Sequence, residues 1–523
     1  MRLVVRLVVG ILLIALGVTV PPMGPRPAKA DDSKQYIVVG LGNQLPDHLG
    51  DLVAAVGGEL IDQSDEIGVA VVRSSDPAFQ SALGTIAGLQ GVVENRPVAF
   101  APPDENAIIL DSAETVGALR PFDPATAQLF MAQWGMRDIG ADQAWAAGAK
   151  GSPRVKVAII DTGIDDTQLE LAGKVDQVAS RTYFTESPPP GITASMVKPW
   201  TDFYGHGTHV AGIVAASGFK VAGVAPRVTL IAVKVAGRNG FATWGTIIKA
   251  IIYAADAGAN VINMSFGERF AEDSPGLDQL EEALQRAVNY AFKKGAVLVA
   301  SAGNEGINWD LTDDMVRLPA QMEHVLGVSA VGPTYGANPD ALATYSDFGK
   351  SIVTFAAPGG NVTPYRCMPL FTITGRMFSC AQLPPLADGS PDPRGMPIDT
   401  VLSACTSFLY IRNPKLSPTD SRNFPCAFSQ MTSVIPGGSK TIFMAGTSMA
   451  AAHVSGVAAL VDSVIGSTHP HQVLEILRRS ADQVGQPGRN AQFGFGRVNA
   501  YRAVMYATEQ MAARTSDIGD DQP

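Results

Sequence analysis

Five short apolar runs, separated by stretches with helical spacing, restrict the fold of this chain more than any other feature. Val155 to Asp161, Val228 to Val235, Val261 to Phe266, Ala296 to Ala302 and Val325 to Val331 are nearly continuous in Val, Ile, Leu and Ala. A strand that faces water on one side alternates apolar with polar residues, whereas a strand covered on both faces has no reason to. Thr243 to Ala257 and Leu277 to Lys294 lie between these runs and have the length and spacing of helices. Buried strands alternating with helices predict a doubly wound α/β fold, with a mostly parallel sheet of roughly seven strands and helices on both faces.

The chain has 523 residues, more than one ordinary domain of roughly 100–200. At 46% hydrophobic residues it has the makings of a large core. Residues 1–30 carry Arg2 and Arg6, an apolar run from Leu7 to Val20 and Ala28-Lys29-Ala30, the layout of a secretory signal peptide. The run is shorter than the roughly 20 residues a spanning helix needs, so export is expected and a stable membrane anchor is not. The formal charge is −10, and loss of that segment, with four basic and no acidic residues, takes it to −14. So acidic a body argues against nucleic acid as a partner.

Residues 31–101 read as a small α+β unit. Its strands are Tyr36 to Val39, Gly68 to Val72 and Val92 to Asn95, and its helices are Pro46 to Val56 and Pro77 to Leu89. Residues 102–130 read as a linker, 131–507 as the main body and 508–523 as a flexible tail. Within the body, 359–440 breaks the strand–helix rhythm with many Pro, Ser and Thr residues and reads as an insertion. It holds all four cysteines, Cys367, Cys380, Cys405 and Cys426. None has C-x-x-C spacing, and in an exported chain an even count suggests two disulfides with three connectivities open.

Three residues stand where chemistry can occur. Asp161 ends the first buried strand, and in open parallel sheets ligand and catalytic groups gather at the carboxyl ends of strands. His206 lies in Gly205-His206-Gly207-Thr208-His209, where small neighbours leave room around an imidazole. Ser448 lies in Gly446-Thr447-Ser448-Met449-Ala450, at the start of a small-residue helix. Each alone has a plain reading, as a cap or a structural histidine. His209 has no third ligand in view and reads as structural, and no metal site is expected.

Taken as a set, Asp161-Thr162-Gly163, Gly205 to His209 and Gly446 to Ala450 resemble the three active-site motifs of the subtilisin family, over about Gln133 to Ala507 apart from the insertion. The resemblance implies a serine endopeptidase in which Asp161, His206 and Ser448 form the catalytic triad. Asn304 matches the oxyanion-hole asparagine. Ser265, Phe266 and Gly267 match the edge segment that pairs with extended peptide, with Phe241 to Thr243 facing it. Ser301, Ala302 and Gly303 complete the substrate site. Arg317, two positions before Pro319, falls near the floor of the specificity pocket if that loop aligns, which would favour acidic side chains. The 31–101 unit resembles the family's propeptide, an intramolecular inhibitor released by autoprocessing between about Pro102 and Phe130. Polypeptide substrates, a monomeric state and export from a bacterium are expected.

Two departures qualify the resemblance. Ala452 stands where relatives usually carry proline, which keeps transfer of the acyl group to an amine, as in a peptide ligase, among the readings. Ala216 to Gly223 is shorter and poorer in carboxamides than the family's strong calcium loop. No cofactor is therefore expected to be required, and calcium at oxygen-ligand sites elsewhere stays open. A binding protein on an inactive scaffold would need a broken triad. A nucleotide-binding α/β protein would need a G-x-G-x-x-G turn after the first strand, where Asp-Thr-Gly stands instead.

Overall fold

The computed structural model describes residues 33–100, 109–110, 123–334, 338–361, 399–408, 440–466 and 469–519. All five apolar runs form strands of one seven-stranded sheet. Its spatial order is Phe355–Pro358, Val325–Val331, Val297–Ser301, Val261–Met264, Lys156–Asp161, Thr229–Lys234 and Arg181–Thr182, and every pairing in it is parallel. The chain goes from Lys156–Asp161 to one side for Thr229–Lys234, then crosses to the other for Val261–Met264. That reversal opens a crevice at the carboxyl ends of the two strands that flank it.

Successive residues of each strand point to opposite faces, and both faces are covered, which is why the runs are continuously apolar. Val157, Ile159, Val299 and Val328 pack under the helices His206–Ala215 and Thr447–Ile465. Ala158, Ile160, Ile262 and Leu298 pack under Trp244–Asp256 and Leu277–Lys293. The first of those two begins where Thr243 accepts a hydrogen bond from the Thr246 amide at 3.4 Å, satisfying a donor that the first turn leaves open. Thr447–Ile465 is long and apolar enough to cross a membrane, but 89% of its apolar window is buried, as in a core helix. Each Val, Leu or Ile buried in these layers contributes roughly 1.5–3 kcal/mol.

The N-terminal unit is an antiparallel sheet in the order Glu59–Ser64, Val69–Ser74, Lys34–Gly40, Leu89–Glu94. The helices Leu49–Ala55 and Phe79–Leu83 cover one face, packing Val53 and Leu83 over Tyr36, Val38 and Val72. The other face, with Ile37, Val39, Val69 and Val93, joins the core around Leu277–Lys293. Glu59–Ser64 escapes a sequence reading because it is a polar edge strand. The helix expected over Pro77 to Leu89 stops at Leu83, with Gly84 as its C-cap.

Three expected boundaries need correction. The tail expected over 508–523 is helical as far as Gly519, in one helix from Ala500; its first turns bury Ala503, Val504 and Ala507, and residues with good helix propensity carry it onward. The linker expected to reach 130 ends earlier, since Pro124 and Phe130 are buried in short 3-10 turns of the main body. The insertion expected over 359–440 is not wholly separate. Val401–Ala404 pairs with Thr441–Met444, and Leu402, Cys405 and Phe408 are buried. Cys367, Cys380 and Cys426 lie outside the described residues, and so does the disulfide pairing.

Candidate active site

Asp161 is the last residue of the strand Lys156–Asp161 and is fully buried. His206 opens the helix His206–Ala215, whose first turn packs against the end of that strand. Gly207 is required there, because a Cβ at that position would lie 2.1 Å from the Gly163 carbonyl oxygen. Close approach brings His206 Nδ1 to 2.8 and 3.0 Å from the two Asp161 oxygens. With a carboxylate as its partner, Nδ1 carries the proton and Nε2 keeps its lone pair. Nε2 is buried and has no hydrogen-bond partner among the described residues. Burial pulls the His206 pKa down, but the Asp161 carboxylate outweighs it, and the imidazole ends above its ordinary value.

A second carboxylate braces this pair. Asp202, also fully buried, accepts hydrogen bonds from the amides of Tyr204, Gly205 and Thr208 and from the hydroxyls of Thr162 and Thr208, at 2.7–3.0 Å. It thereby caps the His206 helix and ties it to the residue after Asp161. Beneath them, Lys234 Nζ donates to the Thr162 and Thr201 carbonyls, both at 2.8 Å, and pairs with Glu186 at 2.9 Å. Neither Asp202 nor Lys234 was singled out from the sequence. The signal available for Asp202 was its place four residues before the histidine, ahead of a helix start. His209 donates from Nε2 toward the Val401 and Ile442 carbonyls, and burial holds its pKa down at about 3. It is a neutral structural residue.

Ser448 enters from the opposite side, in the first turn of Thr447–Ile465, and is buried. Its hydroxyl donates to the Ser265 carbonyl at 2.9 Å, while the Ser265 hydroxyl donates to the Ser448 carbonyl at 2.9 Å. The serine-to-imidazole hydrogen bond is thus not made here. Asn304 is oriented through its Oδ1, which accepts from the Thr447 amide and hydroxyl, both at 2.9 Å; this leaves its Nδ2 without a partner among the described residues. The helix runs unbroken through Ala452, which is fully buried.

Ser448 and Asn304 line a cleft of about 410 Å³ together with Ser265, Phe266, Gly267, Ser301 and Arg317. Ala302 and Gly303, expected to contact substrate, stand behind this wall: Ala302 is a core residue and Gly303 backs the Arg317 guanidinium. The cleft is not vacant on its other flank. Pro97–Ala99 pairs antiparallel with Phe241–Thr243, the Phe100 amide donates to the Gly240 carbonyl at 2.8 Å, and the Tyr204 hydroxyl donates to the Phe100 carbonyl at 3.2 Å. The Phe100 ring centroid lies 5.1 Å from Phe266 and 6.1 Å, edge-on, from His206. The end of the N-terminal unit therefore lies along the groove as an extended peptide would.

The loop after the His206 helix is folded around a carboxylate. Ser217 bridges to Ala222, and the amides of Phe219, Lys220 and Val221 donate to the Glu170 carboxylate. Its N–H groups face an anion, whereas a calcium ion would need its oxygens. Among the described residues, no group of three or more His, Cys, Asp or Glu side chains is placed to hold a metal.

A family model described as the subtilase family matches residues 152–496. A thermophilic serine proteinase from Bacillus sp. (strain AK1) is 31% identical over 377 residues, covering 72% of this chain and 67% of that protein. Thermitase from Thermoactinomyces vulgaris is 29% identical over 377 residues, 72% of this chain and 96% of that protein. An epidermin leader peptide processing serine protease from Staphylococcus aureus shares the fold, with TM-score 0.63 and 22% identity over 90% of this chain and 98% of that one.

Proposed function

The chain belongs to the subtilase family and is a serine endopeptidase, and from that premise we propose that it hydrolyses peptide bonds through Asp161, His206 and Ser448. The observation that carries this reading is the buried Asp161–His206 pair, which leaves Nε2 as the basic atom. A serine hydroxyl is a poor nucleophile at neutral pH and needs such a base. Rotation of the Ser448 hydroxyl away from the Ser265 carbonyl releases it for Nε2. As its oxygen bonds to the substrate carbonyl carbon, the proton passes to Nε2. The negative oxygen that forms is met by Asn304 Nδ2 and the Ser448 amide. Collapse breaks the C–N bond, and the amine leaves with the proton from His206. Water then repeats the sequence on the acyl-enzyme. Asp161 holds the tautomer and stabilises the imidazolium without taking the proton.

The 31–101 unit acts in this account as a propeptide, a reading supported by the strand Pro97–Ala99 and Phe100 lying in the groove. Release follows autocatalytic cleavage between about Pro102 and Phe130. Export on the 1–30 signal, action as a monomer, two disulfides and chemistry without a cofactor complete the proposal. Purified full-length Ser448→Ala and His206→Ala should leave a peptide substrate uncut and the chain unprocessed. Normal processing of Ser448→Ala on its own would contradict the proposal.

A further inference from the structure

Arg317 comes from the strand Met315–Leu318 and is only 5% exposed. A guanidinium has five N–H donors in a fixed planar fork. Here one nitrogen is used: Nη1 donates to Glu305 at 2.8 Å. Nη2 makes no hydrogen bond to a described residue, and Nε is buried without a partner. Nε is closed off, so Nη2 is the nitrogen left to donate to a carboxylate from the cleft side.

The glycines at 267 and 303 let backbone pack closely against this guanidinium. A Cβ at Gly267 would lie 3.2 Å from Nε and 3.7 Å from Nη2, and a Cβ at Gly303 would lie 2.9 Å from Cζ. The same guanidinium lines the cleft of about 410 Å³ that contains Ser448 and Asn304. A donor left unpaired on a buried guanidinium is costly unless something meets it. Resting on the hydrolase reading of Ser448, we propose that Arg317 binds the carboxylate of a glutamate or aspartate on the acyl side of the scissile bond, so that the enzyme selects acidic substrates at that position.

The charges around this site set how strong the selection is. Glu305 is the direct competitor, but its side chain is 41% exposed, so water screens the pair and an exposed partner holds Arg317 weakly. Glu268 and Arg269 also line the cleft. Burial raises the Glu268 pKa, with Arg317 and Arg96 opposing the rise. Asp347 stands behind Gly303, with its oxygens taken up by the amides of Glu305 and Ile307 and the indole of Trp309.

The test is a set of peptides differing only in the residue on the acyl side: Glu, Asp, Gln, Leu, Phe or Lys. Products are identified by mass, and the active sites of the protein after its own processing are counted with a fluorophosphonate. The wild type should cut the Glu or Asp peptide at least about tenfold better in kcat/KM than the Gln isostere. Arg317→Ala should bring that ratio down to about one and favour Leu or Phe, and Arg317→Lys, with charge but no fork, should fall between. Removal of a buried arginine can also disturb the fold, so Glu305→Gln, at an exposed position, is the independent arm: it should raise the acidic preference. Equal cutting of Glu and Gln peptides, a preference for Phe or Lys, or a Glu305→Gln variant without a gain overturns the proposal. In those outcomes the hydrolase reading stands. Absence of cutting for every peptide, despite a counted site, defeats both.

Discussion

At His206 two physical effects oppose each other. Burial disfavours the imidazolium and the Asp161 carboxylate favours it, with the carboxylate prevailing and Asp202 adding to it. Catalysis needs the neutral ring, so kcat/KM should rise with pH through a value above the ordinary 6.5. The linkage has the opposite sense for stability: the raised pKa contributes fully below pH 6.5 and its contribution disappears as pH rises through the folded value. Tyr204 acts on Asp161 and Asp202, and His209 on His206, but Asp202 is the charge that can be neutralised without touching the triad. Asp202→Asn should move the acidic limb of the pH–rate profile to lower pH while lowering kcat. A fall in kcat with an unmoved limb would reduce Asp202 to a helix cap. Asn304→Ala should lower kcat by about 100 to 1,000-fold with little change in KM, and a mainly raised KM would remove it from the oxyanion site.

Among the elements, the helix Leu277–Lys293 does most to hold the N-terminal unit. Arg286 Nη1 donates to the carbonyls of Gly40 and Ile67 at 3.0 and 3.2 Å, and its Nη2 donates to Gln90 at 2.7 Å. Asn95 adds a second tie, accepting from the Gly245 amide at 2.8 Å. Arg286→Ala should therefore release the unit sooner after cleavage, shortening the lag before activity appears; an unchanged lag would mean that the apolar face alone carries docking. This interface also marks how far the sequence could be read. The central strands were legible because two covered faces leave a continuous apolar run, and Asp161, His206 and Ser448 because their motifs are local. Phe100 beside His206, or Arg286 on the Gly40 and Ile67 carbonyls, joins residues more than a hundred positions apart, and no local spacing encodes such a contact. Arg317 was legible as a charge near a pocket, but the free nitrogen of its guanidinium is a fact of three-dimensional placement.

Over the whole molecule, the parallel sheet delivers Asp161 and Ser265 to one crevice, and the two helices on one face bring His206 and Ser448 to it from opposite sides. The N-terminal unit then covers that crevice with its own extended end. The central claim is that the protein's nucleophile is Ser448, activated by His206. The most direct measurement is fluorophosphonate labelling of the protein freed of its N-terminal unit, by an added protease where a variant does not process itself, with the modified residue located by peptide mass mapping. The account predicts a single label on Ser448, lost in Ser448→Ala and strongly slowed in His206→Ala and Asp161→Asn. A label on another serine, or full labelling of His206→Ala at the wild-type rate, would contradict it.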